Sequence, residues 1–269
     1  ARIAPRPFLR VGILMENADP IRSPAELPWW AERGVVAIGL AWAKPSRYAD
    51  GNAVERAPSS GTSSQRGLTD LGRELVREMD RLHILHDASH LSDRAFDDLC
   101  AATTRTIIAS HSNCRAITDP SGANQRHLTD AQIKEIARRG GVIGLNLFSP
   151  FLSRAASAAG ARSDDATPPA RATLADVYAH ADHICQLTGS HEHVGLGSDM
   201  DGGFSAQRLP DDINGPDDLS RLADEFSARG MSDEAVHAFA WRNFARLFAA
   251  PRDAGPVPRV GDARRAAGA

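Results

Sequence analysis

Four short apolar runs of this sequence each end close to a side chain that could carry out chemistry. These side chains are Glu16, His90, His111 and Asp199. Imidazole and carboxylate ligands together suit zinc or a similar divalent cation, and a carboxylate can bridge two ions. A bound ion of this kind lowers the pKa of a water molecule toward about 7 and polarises a carbonyl under attack. The residue types therefore indicate metal-assisted hydrolysis without a serine or cysteine nucleophile.

Each of these residues, taken alone, also has an ordinary structural interpretation. A single histidine is more often a hydrogen-bonded core or cap residue, Glu16 could complement a helix dipole, and Asp199 with Asp201 could form a glycine-rich turn. Four such residues at four strand ends favour a site. The remaining histidines lack that placement and are interpreted as structural or surface residues: His83, His86, His180, His183, His191, His193 and His237. His180 and Asp182 form a His-x-Asp triplet, but positions i and i+2 of a helix do not share a face.

The apolar runs alternate with segments of helical periodicity, which is typical of βα units around a parallel sheet. Strands are predicted at residues 11–15, 35–40, 84–87, 106–110, 142–146 and 194–198. Helices are predicted at residues 24–33, 69–82, 92–101, 129–139, 173–188, 216–229 and 232–249, and long loops at 50–67 and 153–171. Because parallel strands of a barrel present their carboxyl ends at one rim, the four side chains are expected to converge there.

The chain of 269 residues has the length of a single α/β barrel, which commonly needs about 250. We predict one domain at residues 1–250 and a flexible tail at residues 251–269, where Pro, Gly, Arg and Ala dominate. The predicted fold is a (β/α)8 TIM barrel that lacks its first two strands in this chain. The sequence also begins at the approach to a buried strand, which suggests truncation or processing.

Composition narrows the class of partner. A net charge of -3 and 24% charged residues give no excess charge for nucleic acid or an anionic membrane. No apolar stretch is long enough for a membrane span, so a soluble protein of the bacterial cytoplasm or periplasm is expected. Cys100, Cys114 and Cys185 are widely spaced, and we interpret them as buried apolar residues rather than disulfide or thiolate zinc ligands.

Several segments of the sequence resemble the renal, or membrane, dipeptidases, a family of zinc peptidases with an amidohydrolase-like barrel. They are DASHLSDRAF at residues 87–96, IASHSN at 108–113, RHLTD at 126–130, GGVIG at 140–144 and HVGLGSDMDGG at 193–203. The similarity runs from about residue 11 to residue 248. It implies hydrolysis of dipeptides.

The resemblance also implies roles for single residues. Glu16 is similar in position to the family's bridging carboxylate, and His90 and His111 to the ligands of its second metal. Arg126 corresponds to the arginine that holds the terminal carboxylate of the substrate. Asp199 corresponds to the acid that contacts the substrate amine and handles the proton.

The sequence departs from the family pattern at several positions. No His-x-Asp pair, which carries the other ligands of the first metal, precedes Glu16. Trp42 stands where the renal enzymes use a histidine to polarise the substrate carbonyl, and we place it in the substrate site. Asn17 follows Glu16 where the family has glycine, and His127 follows Arg126 where it has asparagine.

These observations predict a metallo-dipeptidase with one or two zinc ions, a small dipeptide substrate and, as an open question, a homodimer. Glu16, His90 and His111 alone would still form a three-ligand site with an open position, which is a recognised catalytic arrangement. Two alternatives remain. One is a catalytically impaired or inactive binding protein on the same scaffold, and the other is a metal-dependent hydrolase of another small amide or a lactone, which the altered residue Trp42 favours.

Overall fold

The computed structural model describes residues 11–53, 66–119, 121–160 and 170–249. Within these ranges six parallel strands occur at the predicted places, each somewhat shorter than predicted. They are β1 (Ile13–Met15), β2 (Val35–Gly39), β3 (Leu85–Asp87), β4 (Ile107–Ile108), β5 (Ile143–Leu145) and β6 (Val194–Leu196). The α/β class predicted from the alternating pattern is confirmed.

The strands follow one another in space in the order of the chain. β1 to β4 form a four-stranded parallel sheet, and β5 pairs with β6 in register from Ile143 with Val194 to Leu145 with Leu196. An isolated parallel bridge between Ala109 and Ile143 joins the two sheets. The carboxyl ends of all six strands therefore lie along one curved rim.

Helices separate the strands and cover the outside of the sheet. They are α1 (Leu27–Glu32), α2 (Asp70–Arg81), α3 (Asp93–Ala102), α4 (Arg115–Thr118), α5 (Asp130–Arg138), α6 (Arg154–Gly160), α7 (Leu174–Thr188), α8 (Ser220–Ala228), α9 (Asp233–His237) and α10 (Asn243–Ala249). Short 3-10 turns at Pro24–Glu26 and Pro216–Leu219 precede α1 and α8, and a π turn at Ala238–Arg242 joins α9 to α10.

The prediction of a loop throughout residues 153–171 was wrong for its first part, because α6 forms there. Its sequence, RAASAAG, is mostly alanine, the residue with the highest helix propensity, and the serine and proline further along the segment hid this signal. Helix α4 was also not predicted, since a single turn is too short to show periodicity. Residues 161–169 and 54–65, the remainder of the two predicted loops, lie outside the described residues, as do the predicted tail at 251–269 and residues 1–10.

The predicted helix starts are confirmed by side-chain caps. The hydroxyl groups of Thr69, Ser92 and Ser232 each accept a hydrogen bond from the backbone N–H three residues later. Thr129 and Gln132 form a reciprocal capping box at the start of α5. Each cap satisfies a backbone donor that the first turn leaves unpaired, which contributes about 1 kcal/mol.

The core lies between the sheet and the helices, with fully buried side chains such as Ile38, Leu75 and Ile133. Strand β1 differs from the others because its apolar side chains Ile13 and Leu14 are exposed at the edge of the sheet. Within the described residues no helix is both long and apolar enough to cross a membrane.

Candidate metal centre

Three ionisable side chains meet at the carboxyl ends of β1, β3 and β4. Nε2 of His90 lies 3.0 Å from Nε2 of His111, and Oε1 of Glu16 lies 3.2 Å from each of these nitrogens. Both imidazoles are buried, whereas the Glu16 side chain is 46% exposed. Among the described residues, these three form the cluster of histidine, cysteine and carboxylate groups that could hold a metal ion.

The spacing of the three atoms fits a divalent cation. Ligand atoms about 2.0–2.1 Å from a tetrahedral zinc ion lie about 3.3 Å from one another, close to the separations here. The Oδ1 atom of Asn52 lies 3.1 Å from Nδ1 of His90. Because a carbonyl oxygen only accepts hydrogen bonds, Nδ1 carries the hydrogen and Nε2 of His90 presents its lone pair to the cluster. A zinc ion held by these three side chains would keep a further coordination position for water or substrate.

Local backbone geometry brings the three ligands together. Glu16 directly follows β1, and a Cβ atom at Gly39 of β2 would lie 2.6 Å from the Glu16 carbonyl oxygen, so glycine permits this close approach of the two strands. His90 has a φ of 67°, a left-handed conformation that histidine rarely adopts. Such strain costs on the order of 1–3 kcal/mol and is concentrated at functional sites.

The electrostatics of the cluster favour the protonation states that metal ligands need. The close contacts of Glu16 with His111 and His90 hold its pKa well below its usual range, so this group is a carboxylate at neutral pH. Burial lowers the pKa of His90 to about 4, so its imidazole is neutral. A carboxylate and a neutral imidazole are the forms that bind a divalent cation.

Arg126 lies beside the cluster, in contact with the backbone of His111, and it is almost completely buried. Its guanidinium donates to the Ser112 hydroxyl at 3.1 Å and to the His111 carbonyl at 2.8 Å, while its Nε–H is buried and without a protein partner. Burial lowers the pKa of Arg126 to about 10, so the group stays cationic at neutral pH. A buried cation with a spare donor is suited to an anionic ligand group.

Asp199 follows β6 on the same rim, in a left-handed conformation with a φ of 57°. Its Oδ2 accepts a hydrogen bond of 2.8 Å from the side-chain amide of Asn146 at the end of β5. Burial raises the pKa of Asp199, although the hydrogen bond from Asn146 and the positive charge of Arg126 partly oppose this effect. Asp201, two residues further on, is exposed to solvent.

Trp42 stands at the mouth of the cluster, beyond the end of β2. Its side chain is 49% exposed, and its ring centroid lies 5.7 Å from that of His90. The structure therefore places Trp42 over the imidazole of one candidate ligand. An indole can pack against a substrate and donate one hydrogen bond, but it does not carry a positive charge.

An open cavity of about 450 Å³ lies on the side of the rim formed by the loops after β5 and β6. Its lining includes Phe148, Phe204 and Arg208. The Phe148 ring packs against Phe151, and the Arg126 guanidinium lies 5.3 Å from the Phe151 ring centroid. Aromatic packing thus connects this cavity to the buried arginine.

Sequence reasoning missed the residues that support the ligands. Asn52, which contacts His90, lies in a loop that gives no periodic or capping signal. Asn146 directly follows β5, so inspection of the polar residue after each strand could have found it. Asp87 and Ser110 are the last residues of the predicted strands at 84–87 and 106–110, and no role was predicted for them, yet both belong to a hydrogen-bond chain that reaches His111.

Most of the histidines interpreted as structural have partners away from the cluster. His180 accepts a hydrogen bond from the Cys114 backbone N–H, and its second ring nitrogen bonds to the Leu152 carbonyl. His86 pairs with Asp80 at 2.7 Å. The other such pairs are His183 with Asp130, His193 with the Gly141 carbonyl and His191 with the Cys185 thiol. All three cysteines are free.

Fold and site together define an α/β protein of the metallohydrolase class, with its ligands at the carboxyl ends of parallel strands. The family model for membrane dipeptidases, peptidase family M19, matches residues 8–255. The chain belongs to this family, in which the fold is TIM-barrel-like and a divalent metal is used.

Three comparisons illustrate the similarity. A metallopeptidase from Rhodobacter sphaeroides, solved with a phosphinate mimic of the dipeptide L-Ala-D-Ala, superposes with a TM-score of 0.71 and 30% identity over 88% of this chain. An uncharacterized protein from the pqqA 5' region of Klebsiella pneumoniae is 32% identical over 80% of the chain. The dipeptidase tcpJ of Claviceps purpurea is 30% identical, also over 80% of the chain.

The chain matches only part of the length of these proteins. It covers 62% of the Rhodobacter structure, 71% of the Klebsiella protein and 44% of the Claviceps dipeptidase. The activity of the whole protein is therefore a proposal.

Proposed function

We propose that this protein hydrolyses dipeptides with the help of a divalent metal held by Glu16, His90 and His111. The observation that carries the proposal is the convergence of their three ligand atoms at 3.0–3.2 Å on a rim that also holds Arg126 and Asp199. Membership of the membrane dipeptidase family supports the same reaction. We propose zinc as the metal, because two imidazoles and one carboxylate match its preferred donors.

Arg126 would bind the terminal carboxylate of the dipeptide. Its unpartnered Nε–H and its positive charge are buried at the rim, so an anionic group that reaches them gains a charge-assisted hydrogen bond of about 1.5–3 kcal/mol. The hydrogen bonds to Ser112 and the His111 carbonyl hold the guanidinium in place before the substrate arrives. A free carboxyl terminus close to the scissile bond therefore becomes a requirement, so cleavage releases the carboxyl-terminal residue.

Asp199 would contact the amino end of the dipeptide and carry the proton of the reaction. The Asn146 amide fixes one carboxylate oxygen at 2.8 Å, which leaves the other oxygen for the substrate. Burial raises the pKa of this carboxyl group, so it takes up a proton more readily than an exposed aspartate. The same group can then deliver the proton to the nitrogen of the leaving amine.

The metal would supply Lewis-acid polarisation of the peptide carbonyl and a water of lowered pKa. The chain's own contribution is to hold the ligands and the substrate in a fixed arrangement. Trp42 would cover the His90 side of the site and limit access of bulk water, in line with its ring contact to this histidine. Glu16 would hold the metal through Oε1 and take part in catalysis through its second carboxylate oxygen.

The first experiment is elemental analysis of the purified full chain, together with its His90→Ala and His111→Ala variants. We expect about one zinc ion per chain in the parent and loss of that ion in both variants. His193→Ala is the matched control, because His193 bonds to the Gly141 carbonyl away from the cluster and its removal should leave the metal content unchanged.

Dipeptide hydrolysis is measured on the same samples. Activity should disappear with a chelator and return when zinc is added. Absence of bound metal under zinc-replete conditions would contradict the proposal and favour a binding protein on the same scaffold. Bound zinc without turnover of a dipeptide panel would instead favour another small amide or a lactone as substrate.

A further inference from the structure

A chain of hydrogen bonds runs from the interior of the protein to His111. Nδ1 of His111 lies 2.7 Å from the Ser110 hydroxyl oxygen, and this hydroxyl donates to Oδ2 of Asp87 at 2.5 Å. Asp87 is 1% exposed, and it is the last residue of β3. The carboxylate is therefore within one side chain of a candidate metal ligand without touching the metal site itself.

The number of hydrogens available to these hydrogen bonds determines the tautomer of the His111 imidazole. A serine hydroxyl has a single hydrogen, and here that hydrogen is given to Asp87. Ser110 can then only accept at its contact with His111, so the imidazole hydrogen must lie on Nδ1. Nε2 of His111 keeps its lone pair and directs it toward Glu16 and His90.

The surrounding backbone holds the side chain of Asp87 and the residue Ser110 in place. Oδ1 of Asp87 accepts the N–H groups of Ser89 and Ser110 at 3.0 and 2.9 Å, so the carboxylate cannot rotate freely. Cβ atoms built on Gly144 and Gly197 would each lie 2.0 Å from the Ser110 carbonyl oxygen. Both glycines thus allow β5 and β6 to pack directly against the residue that carries the hydroxyl.

We propose that Asp87 and Ser110 are positioning residues that keep the His111 hydrogen on Nδ1 and hold Nε2 ready to bind metal. This inference rests on the proposed metal site, and it adds two residues that act on metal affinity through His111. Carboxylates that orient a metal-binding histidine typically change metal affinity 10- to 100-fold when they are removed. The interposed hydroxyl makes the direction of the hydrogen depend on the charge of Asp87.

The Asp87→Asn variant should reverse the direction of the hydrogen bonds between residue 87, Ser110 and His111. Its amide oxygen would stay with the two backbone N–H groups, which places the amide NH2 next to the Ser110 hydroxyl. The hydroxyl would then accept from the amide and donate its own hydrogen to Nδ1 of His111. The imidazole hydrogen would move to Nε2, where it blocks the lone pair needed by the metal.

The test measures zinc affinity and the tautomer of His111 separately on the full chain. Zinc affinity is obtained by competition with a chromophoric chelator, and the tautomer from the 15N shifts of the His111 ring in metal-free protein. We expect Asp87→Asn and Ser110→Ala to weaken zinc binding about 10- to 100-fold. The 15N shifts should show the Nε2–H tautomer in Asp87→Asn and the Nδ1–H tautomer in the parent.

Two further variants separate positioning from simple damage to the fold. Ser110→Thr keeps the hydroxyl and should restore zinc affinity close to that of the parent. Ser112→Ala removes a neighbouring hydroxyl that bonds to Arg126 and not to a ligand, so its zinc affinity should match the parent. Thermal unfolding of each variant checks that the fold is retained.

An unchanged tautomer in Asp87→Asn, or unchanged zinc affinity in Ser110→Ala, would overturn the inference. A zinc affinity in Ser110→Thr as low as in Ser110→Ala would also overturn it. Failure of the parent to bind zinc would count against the proposed function. The tautomer is measured without metal, so the result for Asp87→Asn would still decide whether Asp87 and Ser110 position the His111 hydrogen.

Discussion

At the scale of single residues, two aspartates close together in the sequence are expected to differ in function. Asp199 is half-buried, is fixed by Asn146 and has a raised pKa, whereas Asp201 is exposed. Asp199→Asn removes the proposed proton carrier with almost no change in the size of the side chain. We expect a loss of about 10²- to 10⁴-fold in kcat, which is the usual contribution of a general acid or base.

The matched control for this variant is Asp201→Asn, which should keep kcat within about twofold of the parent, since exposed substitutions have small effects. Zinc content is measured on both variants to show that the metal site is intact. Equal activity of the two variants would argue against a proton-transfer role for Asp199.

The role of Arg126 is tested by comparing substrates with and without a free carboxyl terminus, in the parent and in a variant. Arg126→Lys keeps the positive charge and loses the forked donors, which contact Ser112 and are proposed to bind the substrate carboxylate. We expect kcat/KM for free dipeptides to fall roughly 10- to 100-fold, mainly through KM, because this contact binds substrate and transition state alike.

A dipeptide with an amidated carboxyl terminus provides the comparison. It lacks the anionic group, so the parent and Arg126→Lys should hydrolyse it at similar low rates. An equal loss for the free and the amidated dipeptide would show that Arg126 acts on the structure of the site and not on the carboxylate.

The sequence predicted that the candidate ligands Glu16, His90 and His111 would lie together, because each follows the end of a predicted strand, and their ligand atoms do lie close to one another. It did not predict the residues that form hydrogen bonds with these side chains and hold them in place. The contact of Asn52 with His90 depends on a loop conformation, and the link from Asp87 to His111 depends on side-chain hydrogen bonds across two strands. Neither leaves a periodic pattern in the sequence, so both become visible only in three dimensions.

At the scale of elements, glycines in β5 and after β6 control how closely the strands pack beneath the rim. A Cβ at Gly144 would lie 2.0 Å from the Ser110 carbonyl oxygen, a backbone atom that cannot move aside alone. Gly144→Ala should therefore lower the free energy of unfolding by roughly 1–3 kcal/mol, the usual cost of overpacking a core. Chemical denaturation in urea measures this change.

Gly215→Ala is the matched control for the glycine prediction. Gly215 has extended backbone, and a methyl group added there would have no heavy atom within 4 Å, so alanine fits without strain. Its stability should be unchanged or higher by about 0.4–1 kcal/mol, because alanine restricts the unfolded chain. A Gly144→Ala variant as stable as Gly215→Ala would show that β5 can shift away from Ser110.

The positions of the strands and long helices were predicted better than the short helix α6 and the pairing between the two sheets. The alternation of apolar runs and amphipathic segments was sufficient to place β1 to β6, and the helix starts predicted at Thr69 and Thr129 lie within one residue of the observed starts. Helix α6 was missed because its alanines signal propensity without amphipathic periodicity. The join between the two sheets at Ala109 and Ile143 is a tertiary pairing, which local sequence does not encode.

At the scale of the whole molecule, buried neutral histidines make the stability of the fold depend on pH. Burial lowers the pKa of His127 to about 3 and that of His180 to about 4, against about 6.5 in an unfolded chain. Above pH 6.5 both histidines are neutral in the folded and unfolded states. As the pH falls below that value the unfolded chain takes up protons that the folded chain excludes, so stability is lost progressively toward pH 4.

Each buried histidine should contribute a slope of about 1.4 kcal/mol per pH unit to this loss. His127→Asn removes one of the two groups and retains a polar side chain beside Arg126. Between about pH 6 and pH 4.5 the free energy of unfolding of the variant should therefore fall by about 1.4 kcal/mol less per pH unit than that of the parent. Urea denaturation of metal-free protein at several pH values measures both slopes.

The comparison above pH 7.5 serves as the internal control, because neither chain exchanges protons at this histidine there and the stability difference should be constant with pH. A difference that stays constant down to pH 4.5 would contradict the prediction, since His127 would then be protonated in the folded protein.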